Sequence, residues 1–279
     1  MVRIITDSVS DLSDNQILQY GIDAVLRLKI SFGDKTYTDG IDLSKQDFYK
    51  ILAAGTVLPK TSQITPAEFL DVFDSFPDDE IVVISMSGAL SGTYQSAVIA
   101  KETSKRKDIW VVDSRNVTCG LALLVVEAAK MRQNGKSAGE IYEELEALKE
   151  KVVLFAVLET LKYLRMGGRL SAASAVVGTL LNIKPIISVK NGEVLAIGKE
   201  KGMKKAYEFI LKKINEQPLD PTKTVVFAGA NCPDKISEYA KTVAPVIGTD
   251  SHITVDIGAT VGVHIGEGGH GLAYISKSL

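Results

Sequence analysis

The chain has 279 residues, 46% of them hydrophobic and 24% charged, with a formal net charge of −2. Those proportions belong to a folded soluble protein of one or two domains without a disordered tail. The balance of charge offers no basic field for a nucleic-acid backbone, and the sequence has no run of 18 apolar residues that would span a membrane.

Met1–Asp7 reads as a short strand ended by an acid, not as a signal peptide, so a cytoplasmic location is expected. A helix over 13–20 takes Ser13 as its cap. Residues 22–32 are mostly extended and turn at Gly33-Asp34 into Lys35–Thr38. Ser44, followed by Asp47, opens a helix to Ala54. Residues 59–66 read as a loop whose Thr65-Pro66 starts the next helix. Strands at Ile81–Ile84 and Ile109–Val112 alternate with helices at 94–105, 119–133 and 137–149. Strand and helix in alternation imply a parallel α/β sheet, with ligands beyond the carboxyl ends of its strands. Those ends carry Asp7-Ser8, Ser91-Gly92 and Asp113-Ser114, which are expected to converge on one crevice.

The second half has a different pattern. A strand at Val152–Val157 leads to a short helix over 160–165 and then Gly167-Gly168-Arg169, which reads either as a helix stop or as an exposed, always charged fork able to hold phosphate or carboxylate groups. Residues 171–181 are almost uncharged and read as a helix that is buried or walls an apolar cavity. Asn191-Gly192 marks a hairpin between 186–189 and 194–197. Helices at 202–216 and 233–243 alternate with strands at 224–228 and 253–257. A glycine-rich loop over Gly258–Gly271 and a last strand follow. The fold class is α/β: an N-terminal parallel-sheet domain over 1–150 and a C-terminal α+β domain with a mixed sheet over 151–279.

Several motifs fail on context. Gly266-Glu267-Gly268-Gly269-His270-Gly271 spells a dinucleotide fingerprint but lacks the following helix and strand. Gly135-Lys136-Ser137 ends like a P-loop, yet the earlier glycine position holds Lys130. Gly88-Ala89-Leu90-Ser91-Gly92 is not a nucleophile elbow, since Leu90 directly precedes and Gly92 directly follows the serine. His252, His264 and His270 have no metal-ligand spacing, so no metal is expected. Cys119 and Cys232 lie far apart, and since nothing suggests secretion a disulfide between them has little support. Ser85–Thr93 is the richer stretch: small hydroxyl residues lie between a strand and a helix, where free N–H groups and the helix dipole favour an anion. Its plainer reading makes Ser91 an N-cap. A serine acyl hydrolase or transferase using Ser91 with His264 as base is the alternative. A groove holding a peptide is a third reading.

Taken together, Ile5-Thr6-Asp7-Ser8, Pro59-Lys60-Thr61-Ser62-Gln63, Leu90-Ser91-Gly92-Thr93-Tyr94-Gln95-Ser96-Ala97, Val112-Asp113-Ser114, Leu161–Leu164 with Gly167-Gly168-Arg169, and the loop around His264 resemble the DegV family over essentially the full length. That family comprises bacterial fatty-acid-binding proteins and includes the lipid-carrying subunit of fatty-acid kinase. The resemblance implies a carrier without catalytic residues or a cofactor, holding one long-chain fatty acid such as palmitate, stearate or oleate between two domains. The carboxylate would be held by Thr61 and Ser91, with the Gly92 N–H assisting and His264 completing the network. A separate ATP-using kinase subunit would phosphorylate the acid, docking near Arg169, and transient membrane contact would fit. Val263 and Ile265 stand where the family often has Thr, and Ala89 where many members have Lys.

Overall fold

The computed structural model describes residues 1–55, 59–172, 182–248 and 251–277. The first half runs β1 (Val2–Asp7), a 3₁₀ turn (Ser8–Ser10), α1 (Asp14–Tyr20), β2 (Ala24–Leu26), β3 (Lys29–Phe32), β4 (Lys35–Thr38) and α2 (Lys45–Ala54). It continues with β5 (Lys60–Ser62), α3 (Pro66–Asp74), β6 (Glu80–Ser85), α4 (Thr93–Ser104), β7 (Ile109–Asp113), α5 (Thr118–Gln133) and α6 (Ala138–Lys149). The second half comprises β8 (Val152–Val157), α7 (Lys162–Met166), β9 (Ile183–Lys190), β10 (Glu193–Lys201) and α8 (Met203–Glu216). It ends with β11 (Val225–Gly229), α9 (Pro233–Ile247), β12 (His252–Asp256), α10 (Ala259–Ile265) and β13 (His270–Ile275).

The expected α/β class holds. Strands β2-β1-β6-β7 form a sheet whose neighbours are all parallel. A second sheet, β10-β9-β8-β13-β11-β12, is mixed: only β11 and β12 pair in parallel. Helix starts follow local chemistry. Ser13, Thr65 and Ser137 form capping boxes with Gln16, Glu68 and Glu140, and Ser44 accepts from the Asp47 N–H. Each satisfies N–H groups that the helix itself leaves free.

Helix α5 lies between the two sheets, against β1 and β6 on one side and β8, β11 and β13 on the other. This explains a composition apolar nearly all round: thirteen of its residues are buried, from Thr118 to Met131. The second sheet sorts its side chains by period two. Phe155, Val157, Val225, Phe227, Leu272 and Tyr274 face α8 and α9, where they meet Tyr207, Ile210 and Tyr239. The alternate residues Leu154, Ala156, Val226, Ala228, Ala273 and Ile275 join the cluster shared with the first half. The latter set includes small side chains, and space opens in front of them.

Two expected loops differ. Residues 60–62 are strand β5, which pairs antiparallel with β3 and, through it, with β4 in a third sheet. Most of the glycine-rich segment at 258–271 is ordered as helix α10 and the start of β13. Ser91 is not the N-cap of α4; Gly92 occupies that position. The helix expected over 171–181 falls, after its first two residues, outside the described residues.

Candidate functional site

The carboxyl ends of β1 and β7 grip the loop after β6. Asp7 accepts from Ser85 Oγ at 3.0 Å and from the Met86 N–H at 2.8 Å. Asp113 accepts from the Gly88 N–H at 3.1 Å. The Leu90 and Ser91 N–H groups then close a turn on the Ser87 carbonyl, at 3.1 Å each. The strand-end pairs therefore do meet, but Asp7 and Asp113 act as braces for the loop that carries Ser91. Burial pushes the Asp7 carboxyl up to about 6. Ser87 Oγ donates to the Gly192 carbonyl at 2.8 Å, tying this loop to the β9–β10 turn.

The loop borders a cavity of about 390 Å³. Its wall on the second sheet is made by Leu154, Ala156, Ile187, Val189, Val194 and Ala228. Across from them stand Leu28, Met86, Leu90 and Cys119 of the first half. The sheet residues belong to the face that looks away from α8 and α9. Ala156, Ala228 and Gly271 leave room where larger side chains would have filled the layer. Gly271 is obligatory there, since a Cβ would strike the Phe155 carbonyl and Ala156.

Polar groups gather where the loops meet. Thr61, Gln63, Ser91, Gly92, Arg169 and His264 all line this cavity. Thr61 stands on β5, fixed by pairing with Ile30, and its Oγ1 is 3.5 Å from His264 Nε2. Ser91 Oγ pairs with Thr93 Oγ1 at 3.0 Å and accepts from the Thr93 N–H at 3.3 Å. Thr93 Oγ1 in turn accepts from the Ile64 N–H at 3.4 Å, so the Thr61 strand and the Ser91 loop share one buried hydroxyl. The Gln63 amide packs against Gly92, leaving no space for a Cβ, and donates to Ser96 Oγ at 2.9 Å.

Arg169 was expected to present an exposed charge. It is half-buried, with Nε donating to the Leu90 carbonyl at 3.3 Å and Nη1 to the Gly167 carbonyl at 2.6 Å. The first bond ties the guanidinium to the Ser91 loop, and the second holds it to its own turn. Burial, with Arg169 nearby, pushes the His264 imidazole down to about 4, so the ring is neutral at pH 7. Its Nδ1 is buried against Gly167, where any Cβ would collide with it, and has no partner among the described residues. Ser91 bonds Thr93, and among the described residues no acid accepts from His264 Nδ1, so a serine–histidine–acid relay is not assembled from them.

Two further polar residues on the wall turn their hydrogen bonds away from the cavity. Thr260 Oγ1 donates to Asp39 at 2.6 Å, and His270 is held by Tyr207 and the Gly268 carbonyl. The cavity is thus apolar along the sheet and polar at one end, where hydroxyls, an imidazole and a guanidinium converge. That chemistry suits a carboxylate on a long apolar chain.

Comparison with known proteins agrees with this geometry. The family model described as an uncharacterised protein of the DegV family matches residues 1–277. The chain belongs to the DegV family. A DegV domain-containing protein of Caldanaerobacter subterraneus is 35% identical over 282 residues, covering 99% of both chains. A solved DegV family protein from Thermus thermophilus, described by its fatty-acid binding, superposes with a TM-score of 0.90 at 29% identity, over 99% of each chain. A DegV family protein from Ruminococcus gnavus, solved with vaccenic acid, gives 0.89 at 27% identity over 98% of this chain and 99% of that one.

The five residues singled out in this DegV chain, Thr61, Ser91, Gly92, Arg169 and His264, all border one cavity. Gln63 and Thr93 were not singled out, although both lie inside quoted motifs. Among the described residues no helix is long and apolar enough to cross a membrane.

Proposed function

We propose that this cavity holds one long-chain fatty acid, of the palmitate, stearate or oleate class, with its carboxylate at the polar end. Thr61 and Ser91 donate hydroxyl bonds, the Gly92 N–H assists, and neutral His264 donates from one ring nitrogen. Arg169 supplies the positive charge nearest the head group. The alkyl chain lies along Leu154, Ala156, Ile187 and Ala228. The observation that carries this reading is a cavity mostly apolar along one sheet face and bordered by Thr61, Ser91, Gly92, Arg169 and His264 together. The fatty acids described with its structural relatives support it.

The division at residue 150, with ligand between two domains, belongs to the same reading, because side chains from both sides of that residue line the cavity. So does the role of a carrier in the cytoplasm, making only transient membrane contact. The carrier presents its acid to a separate ATP-using kinase subunit that makes the acyl phosphate. The P-loop context missing around Gly135-Lys136-Ser137 favours ATP being supplied by that partner. Arg169, beside the polar end, is the residue we assign to the contact. Denaturing extraction of purified protein followed by mass spectrometry tests the binding step. The expected result is a long-chain acid near one equivalent per chain. Protein that carries no lipid and takes up none refutes the proposal.

A further inference from the structure

Helix α10 carries His264, yet it has little stability of its own. Its seven residues, Ala259–Ile265, include Thr, two Val, Ile and a Gly, all poorer helix formers than Ala. Gly258 precedes it and offers no capping side chain. The caps come from the other end of the sequence. Asp39 accepts from the Ala259 N–H at 3.2 Å, the Thr260 N–H at 3.4 Å and Thr260 Oγ1 at 2.6 Å. Ser8 Oγ donates to the same carboxyl at 3.1 Å and itself accepts from the Leu28 N–H at 3.2 Å. Asp11 accepts from the Gly258 N–H at 2.8 Å. The approach to the helix is held in the same way: Tyr49 OH donates to the Ile257 carbonyl at 3.1 Å, and Lys45 Nζ to that of Asp256. Asp39 is 3% exposed and lies outside the cavity wall.

His264 follows Thr260 by four residues, so both lie on one face of α10 and both line the cavity. A histidine is usually oriented by a hydrogen bond to its second ring nitrogen. Among the described residues Nδ1 has no partner, so the position of α10 sets where Nε2 points. We propose that Asp39 is a positioning residue for carboxylate recognition: by capping α10 from the N-terminal half, it places His264 opposite Thr61. The inference rests on the fatty-acid reading of the cavity. It adds that head-group recognition is assembled across the two halves of the chain, through a carboxyl that never touches the ligand.

The test uses the full chain and its Asp39→Asn variant. Affinity is measured for a long-chain fatty acid and for the fatty alcohol of equal length, while an isotope-labelled imidazole reports the His264 titration by NMR. Loss of one oriented bond to a charged group predicts an affinity for the acid lower by about tenfold or more. The alcohol should change by no more than about twofold, since the alkyl contacts that dominate its binding remain. The His264 titration should move up toward its ordinary range as the ring is released from its buried setting. An equal loss for acid and alcohol, or an unchanged acid affinity with an unchanged His264 titration, overturns the positioning role. If Asp39→Asn does not fold, Ser8→Ala removes one of the four bonds on the same carboxyl. It should show the same selective loss on a smaller scale, and an equal or absent loss there overturns the proposal too. Wild-type protein that binds neither ligand would refute the fatty-acid reading itself, a result distinct from these.

Discussion

Replacing Thr61 by Val isolates one head-group bond. The substitution keeps the β-branched shape that suits strand β5, and the backbone pairing of residue 61 with Ile30 does not involve the side chain. Thr61 Oγ1 has His264 Nε2 at 3.5 Å, a distance at the outer limit of a hydrogen bond, so little native bonding is lost. Unfolding stability should therefore shift by less than about 0.5 kcal/mol. Binding should not be spared. A hydroxyl donating to a carboxylate contributes about 1.5–3 kcal/mol, which corresponds to roughly a 10- to 150-fold weaker Kd. Isothermal titration with a long-chain acid reads that change, and the alcohol of equal length is the control, because it lacks the charge that strengthens the bond. A Thr61→Val protein with wild-type stability that binds the acid within about threefold of wild type would refute the assignment of Thr61 to the head group.

Other expectations follow from the same geometry. Ser91→Ala should weaken acid binding to a similar degree and also destabilise the fold, by about 1–3 kcal/mol in thermal unfolding, because fully buried Thr93 loses its hydroxyl partner. Ala156→Leu puts three more carbons into the cavity, so a long acid should lose about 2 kcal/mol while a shorter one is spared; a chain-length profile of Kd checks it. His264 is held low, at about 4, so the folded chain binds fewer protons than the unfolded one between that pH and 6.5. The stability it gives is fully present above pH 6.5 and is lost as pH falls toward 4. A carboxylate bound beside the ring favours its charged form, so binding near pH 5.5 should take up protons, seen as a buffer-dependent titration heat that His264→Gln abolishes. Burial pushes Asp11 the other way, up to about 7, so the stability it gives is present below pH 3.8 and is lost as pH rises to about 7. Asp11→Asn should flatten the fall in unfolding stability between pH 5 and pH 7.

What could be read in the sequence was what the chain decides locally. Ser13, Ser44, Thr65 and Ser137 announce their helices because each bonds an N–H three residues ahead. The alternation of strand and helix gives the parallel sheet for a similar reason, since short βαβ connections leave few other topologies. Helix α10 was read as loop because glycines surround it and because its caps, Asp39 and Asp11, lie more than 200 residues away. Strand β5 is three residues long and exists through its pairing with β3, some thirty residues back. Arg169 reads as an exposed charge beside two glycines, but the acceptor that turns it inward is a carbonyl, Leu90, which no side-chain pattern reveals. Ser91 stands out in the sequence through its place between a strand and a helix, whereas Thr61 and His264 gain a binding role mainly as members of quoted motifs, for hydroxyls and a lone imidazole are ordinary turn and core residues elsewhere. Their convergence depends on the fold: β5 on one side, the β6–α4 loop on another, and α10 closing the third.

The division of labour inside the cavity follows from magnitudes. About fourteen methylenes of a long-chain acid, at ~0.8 kcal/mol each, would provide up to roughly 11 kcal/mol of favourable transfer. Each hydroxyl or imidazole bond to the carboxylate contributes about 1.5–3 kcal/mol before the head group's own desolvation is subtracted. The apolar sheet face therefore dominates affinity, and the polar end decides direction, because reversing the acid would bury its carboxylate among Leu154, Ala156 and Ala228. Orientation would matter most if, as proposed above, the cargo reacts at its carboxyl while still bound. The neutral state of His264 would suit that proposal: a cationic ring beside Arg169 would hold a carboxylate more tightly, whereas a neutral one would orient it and leave the charge to the Arg169 guanidinium.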